Sequence, residues 1–88
     1  MEIESDPVKA ASNIKKHRVS FVEAATALYD PMAIVQEDYD SMGENRWILV
    51  GLSDQARLLT VVYTLGNEDI IRLISARKAT KKEAGYYA

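Results

Sequence analysis

The run Leu58-Leu-Thr-Val-Val-Tyr63 constrains the fold more than any other stretch of this chain. Its apolar residues fall on both sides of an extended backbone, which predicts a central strand with neighbours on either side. Leu58 to Gly66 is nine residues without a charge, far short of the roughly 20 that a membrane helix needs. Three more strand candidates lie near 32–37, 46–52 and 69–76, and the central one spans about 57–65. Turn clusters separate them at Asp40-Ser-Met-Gly-Glu-Asn45, at Ser53-Asp-Gln-Ala56 and at Gly66-Asn67. Connections this short imply an antiparallel meander.

Helix signals bracket the strands. Asp6-Pro7 combines a capping carboxylate with proline at the first helical position, and the helix should run to about His17. Val8, Ala10, Ala11 and Ile14 are expected on its buried side. Lys9, Asn13, Lys16 and His17, spaced i, i+4, i+7 and i+8, are expected on an opposing polar stripe. Ser20-Phe-Val-Glu23 is a capping box that opens a second helix, with Phe21, Ala24, Ala25 and Leu28 inward, and Asp30-Pro31 ends it. Thr80-Lys-Lys-Glu83 is another capping box, opening a short helix near 80–87, and residues 2–4 suit a short first strand. The predicted domain is α+β: an antiparallel four- to five-stranded sheet with two N-terminal helices and a short C-terminal helix, all packed on one face. Residues 1–88 form a single domain, because a second core needs on the order of 100 more residues.

Charge and residue usage narrow the chemistry. The net charge is −2, but nine of the eleven Lys and Arg residues lie in two acid-free stretches, 7–18 and 70–82. The segment 19–45 carries Glu23, Asp30, Glu37, Asp38, Asp40 and Glu44 with no Lys or Arg, so one basic and one acidic surface are expected. No cysteine and a single histidine leave no zinc site, and no cofactor is expected. Glu37, Asp38, Asp40 and Glu44 lack the pattern of a calcium loop, and the isolated glycines form no phosphate loop. Glu2, Glu4 and Asp6 interrupt any signal peptide, so a cytoplasmic setting is expected.

What remains is a set of cations and one imidazole. Cleaving RNA through its own 2′-hydroxyl requires removal of the 2′ proton, stabilisation of charge at phosphorus and protonation of the leaving 5′ oxygen. Arginine suits the second task because its planar, permanently charged fork matches phosphate oxygens. An imidazole suits either proton transfer, and His17 is the one histidine of the chain, while its position also reads as a helix end cap. Arg72 and Arg77 share a site only if the last strand twists or breaks near Ser75, since strict alternation puts them on opposite faces. Arg46 precedes Trp47 as a strand-end charge, and Lys78, Lys81 and Lys82 read either as phosphate contacts or as a solvated helix.

The phrases Asp6-Pro-Val-Lys9, Asn13-Ile-Lys-Lys-His17, Val19-Ser-Phe21, Glu23-Ala24-Ala25, Arg46-Trp-Ile-Leu-Val-Gly51, Val62-Tyr-Thr64 and Ile71-Arg-Leu-Ile-Ser-Ala-Arg-Lys-Ala-Thr80 occur in this order. Together they closely resemble the BrnT family of toxins over about residues 3–86. The resemblance implies a RelE-like fold, metal-independent cytoplasmic endoribonuclease activity that halts growth, and neutralisation by a BrnA-type ribbon-helix-helix antitoxin. It also implies contact with operator DNA only through that antitoxin, and no membrane. Carried over position by position, the family's polar motif residues fall on Lys9, Lys16, His17, Arg46, Arg72 and Arg77. The implied catalytic set is His17, Arg46, Arg72 and Arg77, with Lys9, Lys16, Lys78, Lys81 and Lys82 along the RNA backbone. Three departures from the family pattern stand out. Ile3 and Ser5 replace an aromatic pair, Asn45 replaces the acid before the Arg-aromatic pair, and the last helix is shorter and less basic than usual, with Ala84-Gly85 inside it. These departures leave open a second reading, a catalytically weak homologue that binds the antitoxin and aids repression.

Overall fold

Each capping signal read from the sequence has its hydrogen bond in the computed structural model, which describes residues 2–38, 45–66 and 69–87. Asp6 accepts from the Val8 amide at 2.9 Å, Ser20 from the Glu23 amide at 3.0 Å and Thr80 from the Glu83 amide at 3.1 Å. The elements run β1 (Glu2–Glu4), α1 (Pro7–His17), α2 (Phe21–Ala27), β2 (Ile34–Asp38), β3 (Arg46–Leu52), β4 (Leu58–Leu65), β5 (Ile70–Lys78) and α3 (Lys81–Tyr86). The predicted turn at 40–45 lies outside the described residues except for Asn45, as does Asn67 of the last turn.

The sheet order is β1-β5-β4-β3-β2, so β4 is central, as its two-sided apolar run requires. Strands β2 to β5 form the expected antiparallel meander, but β1 pairs with β5 in parallel, Glu2 opposite Ile70 and Glu4 opposite Arg72. The sheet is therefore mixed. Parallel pairing is open to β1 because the rest of the domain, not a hairpin, joins it to β5.

The core fills one face. Leu49 of β3, Leu59, Val61 and Tyr63 of β4, and Ile71, Leu73 and Ala76 of β5 pack under Val19, Phe21, Ala24 and Ala27. Gly51 permits the closest approach, since a Cβ there would sit 2.8 Å from the Ala27 carbonyl oxygen.

Two expectations about the helices are corrected. The buried residue of α1 is Asn13, whereas Val8 and Ile14 are 76% and 47% exposed. Beyond the end of β1, the edge of β5 lacks a strand partner, and α1 supplies one. The Asn13 amide donates to the Ala76 carbonyl at 2.8 Å and its oxygen accepts from the Ala76 N–H at 3.0 Å. A third bond, to the Val19 carbonyl at 2.8 Å, ties the following turn to the same side chain. Satisfying buried backbone groups outweighs burying two aliphatic side chains. The second correction concerns layers: α1 and α2 cover the core face, but α3 lies on the other. Its Glu83 reaches Thr60, whose side chain alternates away from those of Leu59 and Val61, and the Tyr87 hydroxyl after it donates to Asp30.

Candidate functional site

The face of the sheet away from the core carries the arginines. In β5, Val62 of β4 pairs with Ser75 while Tyr63 pairs with Leu73, so Ile74 is an extra residue. This bulge resets the alternation, placing Leu73 and Ala76 on the core face and both Arg72 and Arg77 on the open one. It sits at the break near Ser75 that a shared site requires.

Register then aligns a polar row across all five strands. Asp38 pairs with Arg46, Arg46 with Thr64, Thr64 with Arg72, and Arg72 with Glu4. Residues directly opposite each other share a face. Arg46 and Arg72 are two strands apart, roughly 10 Å between Cα atoms, with the buried Thr64 between them. Arg72 donates from Nε to Glu4 Oε1 at 3.0 Å, and its NH2 lies 2.9 Å from the same oxygen. This pair is exposed and holds Arg72 only lightly. Arg46 Nε is buried with no hydrogen-bond partner among the described residues. A buried N–H left unpaired costs stability, which sets Arg46 apart from the other two arginines of this face.

Arg77 closes the other end of this face. Its two terminal nitrogens reach the two oxygens of Glu83 at 2.6 and 2.8 Å. Glu83 Oε1 also accepts from the Thr60 hydroxyl at 2.9 Å and from the Thr80 amide at 2.8 Å. The guanidinium, aided by those donors, holds the Glu83 carboxyl at about 2 against an ordinary 4.5. Glu83 in turn raises the Arg77 pKa.

The other predicted residues are dispersed. Lys9 shares with Arg72, Glu4 and Asp6 a hollow of about 300 Å³ at the start of α1. Lys16 and His17 lie exposed in the last turn of α1, in the layer on the core side, and make no hydrogen bond or ion pair with the arginines. Lys78, Lys81 and Lys82 are exposed around the end of β5 and the start of α3. The open face thus carries Arg46 and Arg72 in one row, with Lys9 at its margin and Arg77 four residues of β4 farther along, about 13 Å away, and leaves His17 and Lys16 apart.

Sequence reasoning missed the acids that set this geometry. Glu83 was legible as a capping residue, and an arginine six positions earlier, across the turn, is the signal that it does more. Glu23 was also read as a capping residue, yet its buried carboxylate turns to Arg57, with Nε at 2.9 Å, and to the Ser53 hydroxyl at 2.7 Å. Arg57, ahead of all other causes, lowers the Glu23 pKa. This network fastens α2 to the β3–β4 turn and serves the scaffold. Among the described residues no helix is long and apolar enough to cross a membrane.

Comparison with known proteins agrees with this architecture. The model of the family described as the ribonuclease toxin BrnT of type II toxin–antitoxin systems matches residues 6–83. The crystal structure of the Brucella abortus ribonuclease toxin BrnT superposes with a TM-score of 0.73 at 23% identity, covering 92% of this chain and 99% of that one. No curated protein matches by sequence. With the family match spanning almost the whole domain, the chain belongs to the BrnT family of ribonuclease toxins of type II toxin–antitoxin systems.

Proposed function

We propose that this protein is an endoribonuclease that cleaves RNA through 2′-hydroxyl attack on the open face of the sheet. The observation that carries this reading is the cross-sheet row Asp38, Arg46, Thr64, Arg72 and Glu4, which sets two arginines on either side of Thr64. The 2′ oxygen attacks phosphorus, its proton passes to a base, the bond from phosphorus to the 5′ oxygen breaks, and that oxygen takes up a proton. The products are a 2′,3′-cyclic phosphate and a 5′-hydroxyl. Arg46 and Arg72 bracket the phosphate and stabilise the charge that grows on its oxygens. Glu4 and Asp38 stand in the same row and are the carboxylates nearest in register to receive the 2′ proton. His17, assigned to proton transfer on sequence grounds, stands in the other layer, so its role here is a backbone contact along with Lys16. Lys9, Lys78, Lys81 and Lys82 extend the positive surface.

The partner proposed is a protein antitoxin of the BrnA type, which also carries the contact with operator DNA. The outward side chains of Val8, Ile14 and Val22 on α1 and α2 give it apolar surface to bury. A second reading, a weak or inactive homologue, is favoured by one observation: Arg72 and Arg77 are already paired inside the chain, to Glu4 and Glu83.

The test is cleavage of a short RNA by the purified protein in EDTA, with analysis of the ends. The nuclease reading expects cyclic phosphate and 5′-hydroxyl ends, and no cleavage when a 2′-deoxy residue replaces the attacking nucleotide. An intact RNA, beside a soluble complex with the antitoxin, selects the second reading.

A further inference from the structure

We infer that the groove between α3 and the open face of the sheet is a pocket for one unstacked nucleobase of the RNA, placed beside the phosphate that the arginines hold. The inference rests on the RNA reading above and gives it a specificity element. The groove encloses about 640 Å³, within the range of roughly 300–1,000 Å³ typical of small-molecule sites. Its floor is apolar, from Ile34, Ile48 and Val50, and Gln36, Lys82 and Tyr86 stand around it.

The chemistry matches a base better than an aliphatic ligand. A base needs a flat apolar support and an aromatic partner, and Tyr86, 63% exposed, is free to stack. It also needs groups that read its edge, and the Gln36 amide offers donors and an acceptor. Lys82 supplies a cation for the adjoining phosphate. Position supplies the link to the strand of RNA. Ile48 is two residues from Arg46 along β3, about 7 Å away on the same face. The row Ile34, Val50, Thr60 ends on Arg77. A chain with its phosphate on Arg46 and Arg72 therefore presents a neighbouring base to the groove.

The test uses uncleavable probes: 2′-O-methyl tetranucleotides of A, C, G or U and an abasic tetramer, followed by fluorescence anisotropy. The parent protein is expected to bind its best base about tenfold more tightly than its worst. Tyr86→Ala, or Ile48→Trp filling the groove, should weaken the base-bearing probes about tenfold and leave the abasic probe unchanged. Gln36→Leu should level the ranking among bases, whereas Arg46→Ala should weaken all five probes alike. If Tyr86→Ala, Ile48→Trp and Gln36→Leu all bind the five probes as the parent does, the groove is not the base site and the RNA reading stands. If the parent binds none of them, both fall. If the ranking depends on Gln36 but no RNA is cut, the pocket stands and the catalytic reading falls.

Discussion

The two faces of the sheet solve different problems. On the core face, side chains at or near zero exposure (Leu59, Val61, Leu73, Ala76) pack under the helices, and the buried polar groups stand at the margins, Asn13 at the edge of β5 and Glu23 with Ser53 at the hairpin. On the open face, a row of arginines, threonine and acids (Asp38, Arg46, Thr64, Arg72, Glu4) lies beside an apolar strip of Ile34, Ile48 and Val50 that a six-residue helix covers in part. Leu59 and Thr60 are neighbours in β4 yet belong to these two regimes. One face holds most of the packing that makes the fold; the other carries the charges to which we assign the chemistry. The difference teaches that stability and activity should be separable by substitution.

The largest expected effect is on the core face. Leu59→Ala should lower the free energy of unfolding by about 2–5 kcal/mol, seen in urea titration, with any loss of cleavage tracking the unfolded fraction. Cleavage lost from a protein that unfolds like the parent would break the division between the faces.

A smaller effect is expected where the open face contributes to stability. Glu83 titrates at about 2 when folded, below its ordinary 4.5, so its contribution is present above about pH 4.5 and is lost as pH falls toward 2. The thermal midpoint of the parent should drop over that window, and Glu83→Gln should flatten the drop. The Glu23 carboxyl, also lowered, adds to the same acid loss in both proteins. A Glu83→Gln profile parallel to the parent's would mean that the clasp on Arg77 and Thr60 does not hold α3 down.

The smallest effect concerns Gly85 in α3, where a Cβ would meet nothing within 4 Å. Gly85→Ala should raise stability by about 0.5–1 kcal/mol through helix propensity, with parent cleavage. A destabilised variant would show that the groove side of α3 is more crowded than its surroundings indicate.

Most of the element order was legible because its signals are local. Asp6, Ser20 and Thr80 start helices by side-chain bonds that depend on two or three residues, and the β4 run declares its centrality through its own composition. What stayed hidden depends on partners distant in the chain. Nothing near Asn13 says that its amide will complete the edge of β5, sixty-three residues later; periodicity alone puts Asn13 on the outward polar stripe. Strict alternation separates Arg72 from Arg77, and only the bulge at Ile74, set by pairing with β4, reunites them. The layer of α3 was equally invisible, since it follows from the face to which Thr60 and Arg77 point. Arg46 and Arg72 stood out as site residues by charge type, but that both pair with Thr64 is a matter of register, which the sequence does not print.

The central claim is that the chemistry resides on the open face. Its most direct test is the single-turnover rate of RNA cleavage by Arg46→Ala beside that of His17→Ala, each with its thermal midpoint. A charge-stabilising arginine is expected to account for about a hundredfold or more, so Arg46→Ala should fall by that much at the parent's midpoint. A backbone contact accounts for far less than the roughly 10²–10⁴ of a general acid or base, so His17→Ala should stay within about tenfold of the parent. A hundredfold loss at His17 with Arg46→Ala cutting like the parent would contradict the account.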